Sequence, residues 1–467
     1  MTNPSTLRRG LTLPAAIAVN VANMIGTGVF LKSRVMTCNV GSGWMVLAVW
    51  LAAGLLSLAG TFVYSELAAM MPDAGGDYVY VQRAYGRLAG FLNGWTNGFV
   101  RAASQAALAA GVAIFLNVAL GGWLESRSLS LSVPGLSGTL GGLTLAALAT
   151  IATVTLLNCA SVASSGGTAL LLTSAKVLLV ALVAAVAFGG GGGDLGHLAL
   201  SGAAGTCEGV EPGARGGLAG FGAAMLGALW AYDGWNNVAP LIGELKDPQR
   251  NAPRAFVGGT LLVGGLYLVA NVGYFYVLTP LQVASVSPTS SVATVVLAHY
   301  LGPVAVTLMA IALMVSSFGA QHASQLAGTR IPYAMARDGL YFRGFDRLSA
   351  SGVPRRSVLL QGAAAAVLVV IGRYDTLTDA AMVGSWIFFG LTGAALFVLR
   401  RREPDAPRPY RAFGYPLVPA LFLLVTAAIL LNTFVATPHQ AVQSVAILLL
   451  GLPFYCRWSR RAPRPAP

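Results

Sequence analysis

Apolar residues in this 467-residue chain come in runs of bilayer length, not in amphipathic stripes or alternating strands. A helix needs roughly 20 predominantly apolar residues to cross a bilayer. Twelve segments qualify, at about 12–36, 43–70, 88–120, 141–162, 167–188, 217–243, 254–279, 303–328, 357–372, 377–399, 412–436 and 439–457. The ninth, SVLLQGAAAAVLVVIG, is the shortest. The first is too long for a cleaved signal peptide and lacks a small-residue cleavage site after a compact apolar core, so it is expected to stay in the membrane. The pattern predicts an all-α polytopic membrane protein with 12 transmembrane helices.

Composition narrows the picture. Hydrophobic residues make up 56% of the chain and charged residues only 10%, against about 25% charged in a soluble protein. A soluble enzyme, a disordered tail and a secreted disulfide scaffold are excluded. The 29 Lys+Arg against 16 Asp+Glu give a formal charge of +13. A nucleic-acid partner would need basic residues clustered on a soluble scaffold, and none exists here. With the N-terminus placed in the cytoplasm, 22 basic residues fall in inner segments and five outside. That bias follows the positive-inside rule, so the expected location is the cell (inner or plasma) membrane with both termini cytoplasmic. Anionic lipid headgroups are the expected contacts of these residues.

On this topology Cys38 and Cys207 share the outer side, while Cys159 and Cys456 lie at inner helix ends. The outer pair either bridges in an oxidising exterior or remains two thiols. Gly189–Gly193 begins a low-complexity loop expected to be flexible.

Two spans are interrupted. The first, TLPAAIAVNVANMIGTGVFLKSRVM, carries Ile25, Gly26, Thr27, Gly28 and Val29 in its middle; the sixth, FGAAMLGALWAYDGWNNVAPLIGEL, carries Ala231, Tyr232, Asp233, Gly234 and Trp235. Glycine lowers helix stability by about 1 kcal/mol relative to Ala, and a carboxylate deep in a spanning segment is costly. Unwinding there frees N–H groups at the start of one half-helix and C=O groups at the end of the other. The former attract a carboxylate and the latter an ammonium. Breaks five spans apart point to a transporter's midplane site between inverted repeats. A GxG packing contact and a proline-free kink are the plainer readings of the two clusters. No strand precedes the glycines, so a dinucleotide site is excluded.

IGTGVF in the first span resembles the small-residue signature of the amino acid–polyamine–organocation superfamily. ALWAYDGWNNVAPLIGELKDPQRNAPRA, SELAAMMPDAGGDYVYVQRAYG, FGAQHASQLAGTRIPYAMARDGL and RRREPDAPRPYRAFGYPLVP are similar to its L-type amino acid transporter branch. The resemblance runs from about residue 10 to 435. It implies a leucine-transporter-type fold: a first five-helix repeat over 12–188, an inverted second repeat over 217–399 and two peripheral helices over 412–457. It implies further that the amides of Gly26, Thr27 and Gly28 hold the substrate α-carboxylate. The carbonyls of Ile25, Trp230, Ala231 and Tyr232 would hold the α-amino group. Trp230 would serve as an outer gate and pocket wall, its plainer reading being an aromatic core residue.

The remaining ionisable residues inside the spans require partners. Lys176, tenth in a span starting at Gly167, lies about 14 Å from that end, too deep to snorkel easily. Its charge must be paired, solvated in a cavity, or absent. Sodium-independent relatives place a lysine here, where sodium-coupled members of the fold bind a cation. By that analogy Lys176 bridges the first break and Ser316 or Ser317, as a built-in cation and a candidate proton carrier; a tether for span five is the structural alternative. Arg101 is similarly deep, with Asp233 as natural partner and a water-lined side chain as the other reading. Glu66 and Glu244 end spans two and six on the inner side. Arg83 or Arg330 would pair with them, as an inner gate or as ordinary solvated charges. His322 is either packed and neutral or a substrate contact or proton relay.

The expected function is therefore a sodium-independent permease moving one zwitterion per cycle by alternating access, as exchanger or proton symporter. Neutral L-amino acids are favoured because the pocket candidates are mostly Ala, Gly, Trp and Phe; Asp233 keeps a cationic amino acid or polyamine as the alternative. A channel would need a water-lined pore, and breaks five spans apart are hard to motivate in one. Four scattered histidines and no HExxH-like pair argue against a membrane enzyme, and no cofactor or metal is expected. The outer loop between spans three and four has no cysteine, so no disulfide-linked accessory subunit is expected.

Overall fold

The first span is two helices. In the computed structural model α1 (Leu13–Met24) stops at Ile25 and α2 starts at Gly28 and runs to Val40. The structure describes residues 7, 9–133, 136–160, 162–202, 205–287, 290–371, 374–436 and 438–460. Arg8, Arg373, Arg461 and Arg464, counted above in the charge bias, lie outside them.

Helix occupies all twelve predicted segments. α3 (Gly43–Met70) is followed by the short α4 (Asp77–Tyr85), then α5 (Arg87–Ala119), α6 (Gly142–Asn158) and α7 (Val162–Gly189). α8 (Gly217–Tyr232) breaks at Asp233, and a 3-10 turn, Ala239–Glu244, completes that segment. α9 (Pro248–Val277), the short α10 (Pro280–Ala284) and α11 (Val292–Leu301), and α12 (Val304–Gly328) continue the chain. α13 (Arg330–Arg337), α14 (Arg355–Ile371), α15 (Tyr374–Arg402) and α16 (Leu417–Ala436) follow. The last segment is also divided, into α17 (Pro438–Leu450) and α18 (Leu452–Ser459), with Gly451 between them. Among the described residues six stretches are long and apolar enough to cross a bilayer, and the chain is a multi-pass membrane protein.

The all-α expectation misses one feature. β1 (Ser128–Val133) and β2 (Leu136–Gly141) form an antiparallel hairpin between α5 and α6. A hairpin satisfies its own backbone in water, and nothing in a spanning-helix pattern reports on it. The glycine run is also less free than its composition suggests. Tyr300 donates to the Gly191 carbonyl at 3.0 Å, and Asp194 N–H donates to Tyr276 O at 2.8 Å.

α3 lies along α9, α5 along α12, and α2 against α8, so both broken helices are held inside the bundle. At one end Cys38 and Cys207 are joined in a disulfide and packed on Val210 and Ala284. The opposite end is rich in arginine. There Glu66 binds Arg400 through two bonds of 2.9 and 2.6 Å, has Arg408 at 3.3 Å, and accepts the Ala412 amide at 2.6 Å. Arg83, the expected partner, pairs with Glu403 instead at 2.6 Å. The reason is topological: the basic run that ends α15 folds back over α3, so a residue 334 positions away reaches Glu66 first. Outside the spans, burial and the nearby Glu66 push the Tyr410 phenol above its ordinary range.

Candidate functional site

Each break is fixed by the other. At the first, Ile25 N–H closes α1 on Val21 O and Gly26 N–H turns back to Met24 O, both at 2.8 Å. At the second, Asp233 N–H caps on Trp230 O at 3.2 Å, and Gly234 takes φ +104°, a conformation open to glycine and strained for other residues. A Cβ on Gly28 would stand 2.5 Å from that of Ala231, and one on Gly234 would stand 2.7 Å from that of Asn23. The glycines therefore allow two unwound backbones to touch. Gly28→Ala and Gly234→Ala are expected to lower the initial rate of substrate uptake at least tenfold, on the order of the 1–3 kcal/mol that overpacking costs, with normal membrane insertion. Uptake into proteoliposomes, normalised to reconstituted protein, checks this.

Lys176 on α7 is buried, and its Nζ donates to Ala22 O and Ile25 O, each at 2.8 Å. An ammonium there meets the negative end of α1. Ser316 on α12 donates to Ile25 O at 3.2 Å and to Gly26 O at 3.4 Å. Lys176 and Ser316 thus meet at the first break. Ser317 does not join them, and its buried hydroxyl has no hydrogen-bond partner among the described residues. The Ile25 carbonyl is occupied by Lys176 and Ser316, and Gly26 N–H by Met24 O. Among the described residues the amides of Thr27 and Gly28, at the start of α2, donate to no backbone carbonyl.

A cavity of about 100 Å³ lies beside the breaks. It brings together Gly26, Thr27, Gly28, Trp230, Ala231, Asp233 and Arg101 among the predicted residues. Ile25, Tyr232, Lys176, Ser316 and His322 are not part of its wall. Tyr232 points the other way, its hydroxyl donating to Trp50 O at 3.3 Å while its ring packs on Tyr267. His322 is buried, with neither ring nitrogen partnered among the described residues. Trp230 lines the cavity and carries the Lys32 ammonium 5.0 Å from its ring centroid, within the range of a cation–π contact.

The wall is more polar than the expected Ala, Gly, Trp and Phe. Asn23, Asn97, Asn236, Asn237, Ser104 and Ser324 contribute to it. Asp77, in the first turn of α4, also reaches it and accepts from Asn236 Nδ2 at 3.3 Å. Among the described residues Arg101 makes no ion pair within 4 Å; Asp233 and then Asp77 act on it through space. The three face one another across the cavity, so the expected Arg101–Asp233 relation is a shared field and not a contact pair.

Sequence reasoning missed Asp77 because an acidic residue in a loop motif looks solvated. It also missed Tyr267 on α9, whose hydroxyl lies 2.7 Å from Met24 O and 3.0 Å from Ala231 O, spanning both breaks. A lone tyrosine in an apolar run carries no signal that separates a strut from aromatic packing.

Below the cavity, Arg330 and Glu244 form the buried pair expected of them, with bonds of 2.6 and 3.2 Å and both side chains fully enclosed. Arg330 also donates to Leu326 O at 2.7 Å and to Thr329 Oγ1 at 3.1 Å. Leu11 N–H donates to Glu244 O at 2.8 Å, so the segment leading into α1 is tied to the same corner.

A cavity of mixed polar and apolar lining lies between two mutually supporting helix breaks inside a multi-pass bundle, the arrangement of a membrane transporter. The chain belongs to the amino acid permease family, whose model matches residues 11–454. It is 28% identical to the serine/threonine exchanger SteT of Bacillus subtilis, over 98% of this chain and 99% of that protein. It is 28% identical to the human large neutral amino acids transporter small subunit 2, over 96% of this chain and 80% of the relative. With the mouse b(0,+)-type amino acid transporter 1 it shares 26% identity, over 99% of this chain and 91% of the relative.

Proposed function

We propose that this permease carries neutral L-amino acids across the cell membrane by alternating access, without sodium, as an exchanger or proton-coupled symporter. The observation that carries the reading is Lys176, whose ammonium lies on the two carbonyls at the end of α1. A fixed cation there leaves no vacancy for a sodium ion. The zwitterion's carboxylate then sits on the amides of Thr27 and Gly28, favoured by the start of α2. Its ammonium faces the end of α8 beside Asp233. There the carbonyls of Trp230 and Ala231 already accept one bond each, from Asp233 N–H and the Tyr267 hydroxyl respectively, and keep a second lone pair; Tyr232 adds a third carbonyl. Asparagine and serine side chains on the wall suit a small, polar neutral side chain, as the name of the Bacillus relative would lead one to expect.

The fold proposed for this cycle has twelve spans with both termini cytoplasmic. It is an inverted repeat of leucine-transporter type, 12–188 against 217–399, with 412–457 peripheral. The chain works without a disulfide-linked accessory subunit, since Cys38 and Cys207 are bonded to each other. Trp230 closes the cavity toward the disulfide end, and the Arg330–Glu244 pair closes it toward the arginine-rich end.

One observation favours a second substrate class. Asp77 and Asp233 against Arg101 leave one negative charge in excess on the cavity wall, which suits a cationic amino acid or polyamine. Proteoliposomes preloaded with unlabelled serine, leucine, arginine or putrescine separate the two. Saturable uptake of labelled serine or leucine, unchanged when potassium replaces sodium, is expected. Uptake restricted to arginine or putrescine selects the second class, and no saturable flux of any of them refutes transport of amino acids. In the same assay, reversing Arg101 and Asp233 together is expected to restore at least threefold more uptake than either reversal alone.

A further inference from the structure

A second cavity, of about 490 Å³, lies between α5, α14 and α17, with Gly328, Pro332 and Tyr341 also on its wall. Its volume is within the range of about 300–1,000 Å³ that ligand pockets occupy. One wall is the small-residue face of α5, Gly94, Gly98 and Ala102, four residues apart and so on one side of the helix. Such a face is ordinarily covered by a neighbouring helix. Among the described residues a Cβ on Gly98 would meet nothing within 4 Å, so no described neighbour covers that point. The other wall is one face of α14, with Ser357 and Gln361 followed by Ala364 and Leu368.

Two polar atoms on that wall have no hydrogen-bond partner among the described residues: Ser357 Oγ and Gln361 Nε2. Both side chains are deeply buried, at 1% and 8% exposure. An unpartnered buried donor costs about 1–3 kcal/mol, so each wants a ligand. The rim is apolar and exposed, at Leu360, Val367 and Leu450, and among the described residues no charged side chain lines the cavity. In a membrane-spanning bundle this rim faces acyl chains.

Depth selects the occupant. Ser357 and Gln361 stand two and six residues after Arg355, the first residue of α14, about 3 and 9 Å along the axis. The headgroup layer on each side of a bilayer is roughly 5–7 Å thick. A lipid phosphate level with Arg355 and Arg356 therefore has its ester carbonyls level with Ser357 and Gln361. We propose that this groove is a binding site for one diacyl phospholipid of the leaflet at the arginine-rich end. One acyl chain lies along Gly98 and Ala364, and an ester carbonyl accepts from Gln361 Nε2 and the Ser357 hydroxyl. The site adjoins the first cavity through one layer of residues: a Cβ on Gly328 would lie 2.9 Å from both Arg101 Cγ and Gln361 Oε1.

The test uses the full chain reconstituted with a diacyl phospholipid carrying a photoactivatable diazirine in one acyl chain, followed by peptide mapping of the adducts. Adducts are expected to concentrate on residues 94–102 and 357–368. Gly98→Leu fills the groove from a position with free space and is expected to lower those adducts at least fivefold, leaving labelling of the rest of the lipid-facing surface unchanged. Gln361→Leu, which removes the donor and keeps the bulk, is expected to lower them at least threefold; it serves as the second variant if Gly98→Leu does not fold. Even labelling of all lipid-facing helices, or equal labelling of the groove in wild type and both variants, overturns the proposal. A sterol or detergent retained in place of the phospholipid overturns the choice of occupant. The readout involves no transport, so its failure leaves the proposed function standing.

Discussion

Glu244→Ala is expected to destabilise the folded protein by about 3–5 kcal/mol, the usual consequence of leaving a buried charge without its partner. Arg330 is fully enclosed, and its other hydrogen bonds, to Leu326 O and Thr329 Oγ1, are to neutral groups. Removing the carboxylate therefore strands a guanidinium that cannot reach water. The loss should appear as a lower midpoint of thermal unfolding in detergent, followed by tryptophan fluorescence or size-exclusion survival. Replacing both residues, Glu244→Leu with Arg330→Met, removes the stranded charge and is expected to recover most of that midpoint. A double variant as unstable as the single one would show that the hydrogen bonds around the pair matter more than its charge. Transport adds a second readout. A pair that only stabilises the fold leaves the double variant active, whereas a gate makes it leak substrate down a gradient without exchange.

Lys176→Ala is expected to reduce uptake by on the order of 100-fold or more, since hydrogen bonds to charged groups contribute about 1.5–3 kcal/mol each and two are lost. The carbonyls of Ala22 and Ile25 would then face the interior with Ser316 as the remaining donor to Ile25. Ser316→Ala removes only the weaker, neutral contacts and is expected to lower uptake less than tenfold. Proteoliposomes with an imposed pH gradient distinguish what Lys176 does. Uptake that ignores the gradient makes the lysine a fixed cation and tether. Uptake driven by the gradient, and no longer driven by it in Lys176→Arg, makes it the proton carrier. Sodium-dependent uptake in Lys176→Ala would be the strongest sign that its ammonium stands in for an ion.

Much of this was legible along the chain because the bilayer imposes a one-dimensional rule: long apolar runs become helices, and residues that violate the run stand out. Gly26, Gly28, Asp233 and Lys176 are such violations, and each lies at the breaks or touches them. The residues that escaped detection obey the local rule. Tyr267 looks like any aromatic in a spanning helix, and Asp77 like any solvated acid after a turn; only the approach of distant helices turns them into a strut and a cavity wall. The same holds for Glu66. Its partner Arg400 belongs to a basic run that sequence alone reads as a topology marker.

The apolar runs, the two glycine breaks and the few intramembrane charges were thus determined by sequence, because solvation in lipid acts on each residue regardless of its neighbours. Which carbonyl each donor occupies, and which amides stay free, was decided by tertiary structure. Those choices depend on ångström-scale approaches such as Gly28 to Ala231 and Lys176 to Ile25, and no local pattern encodes them.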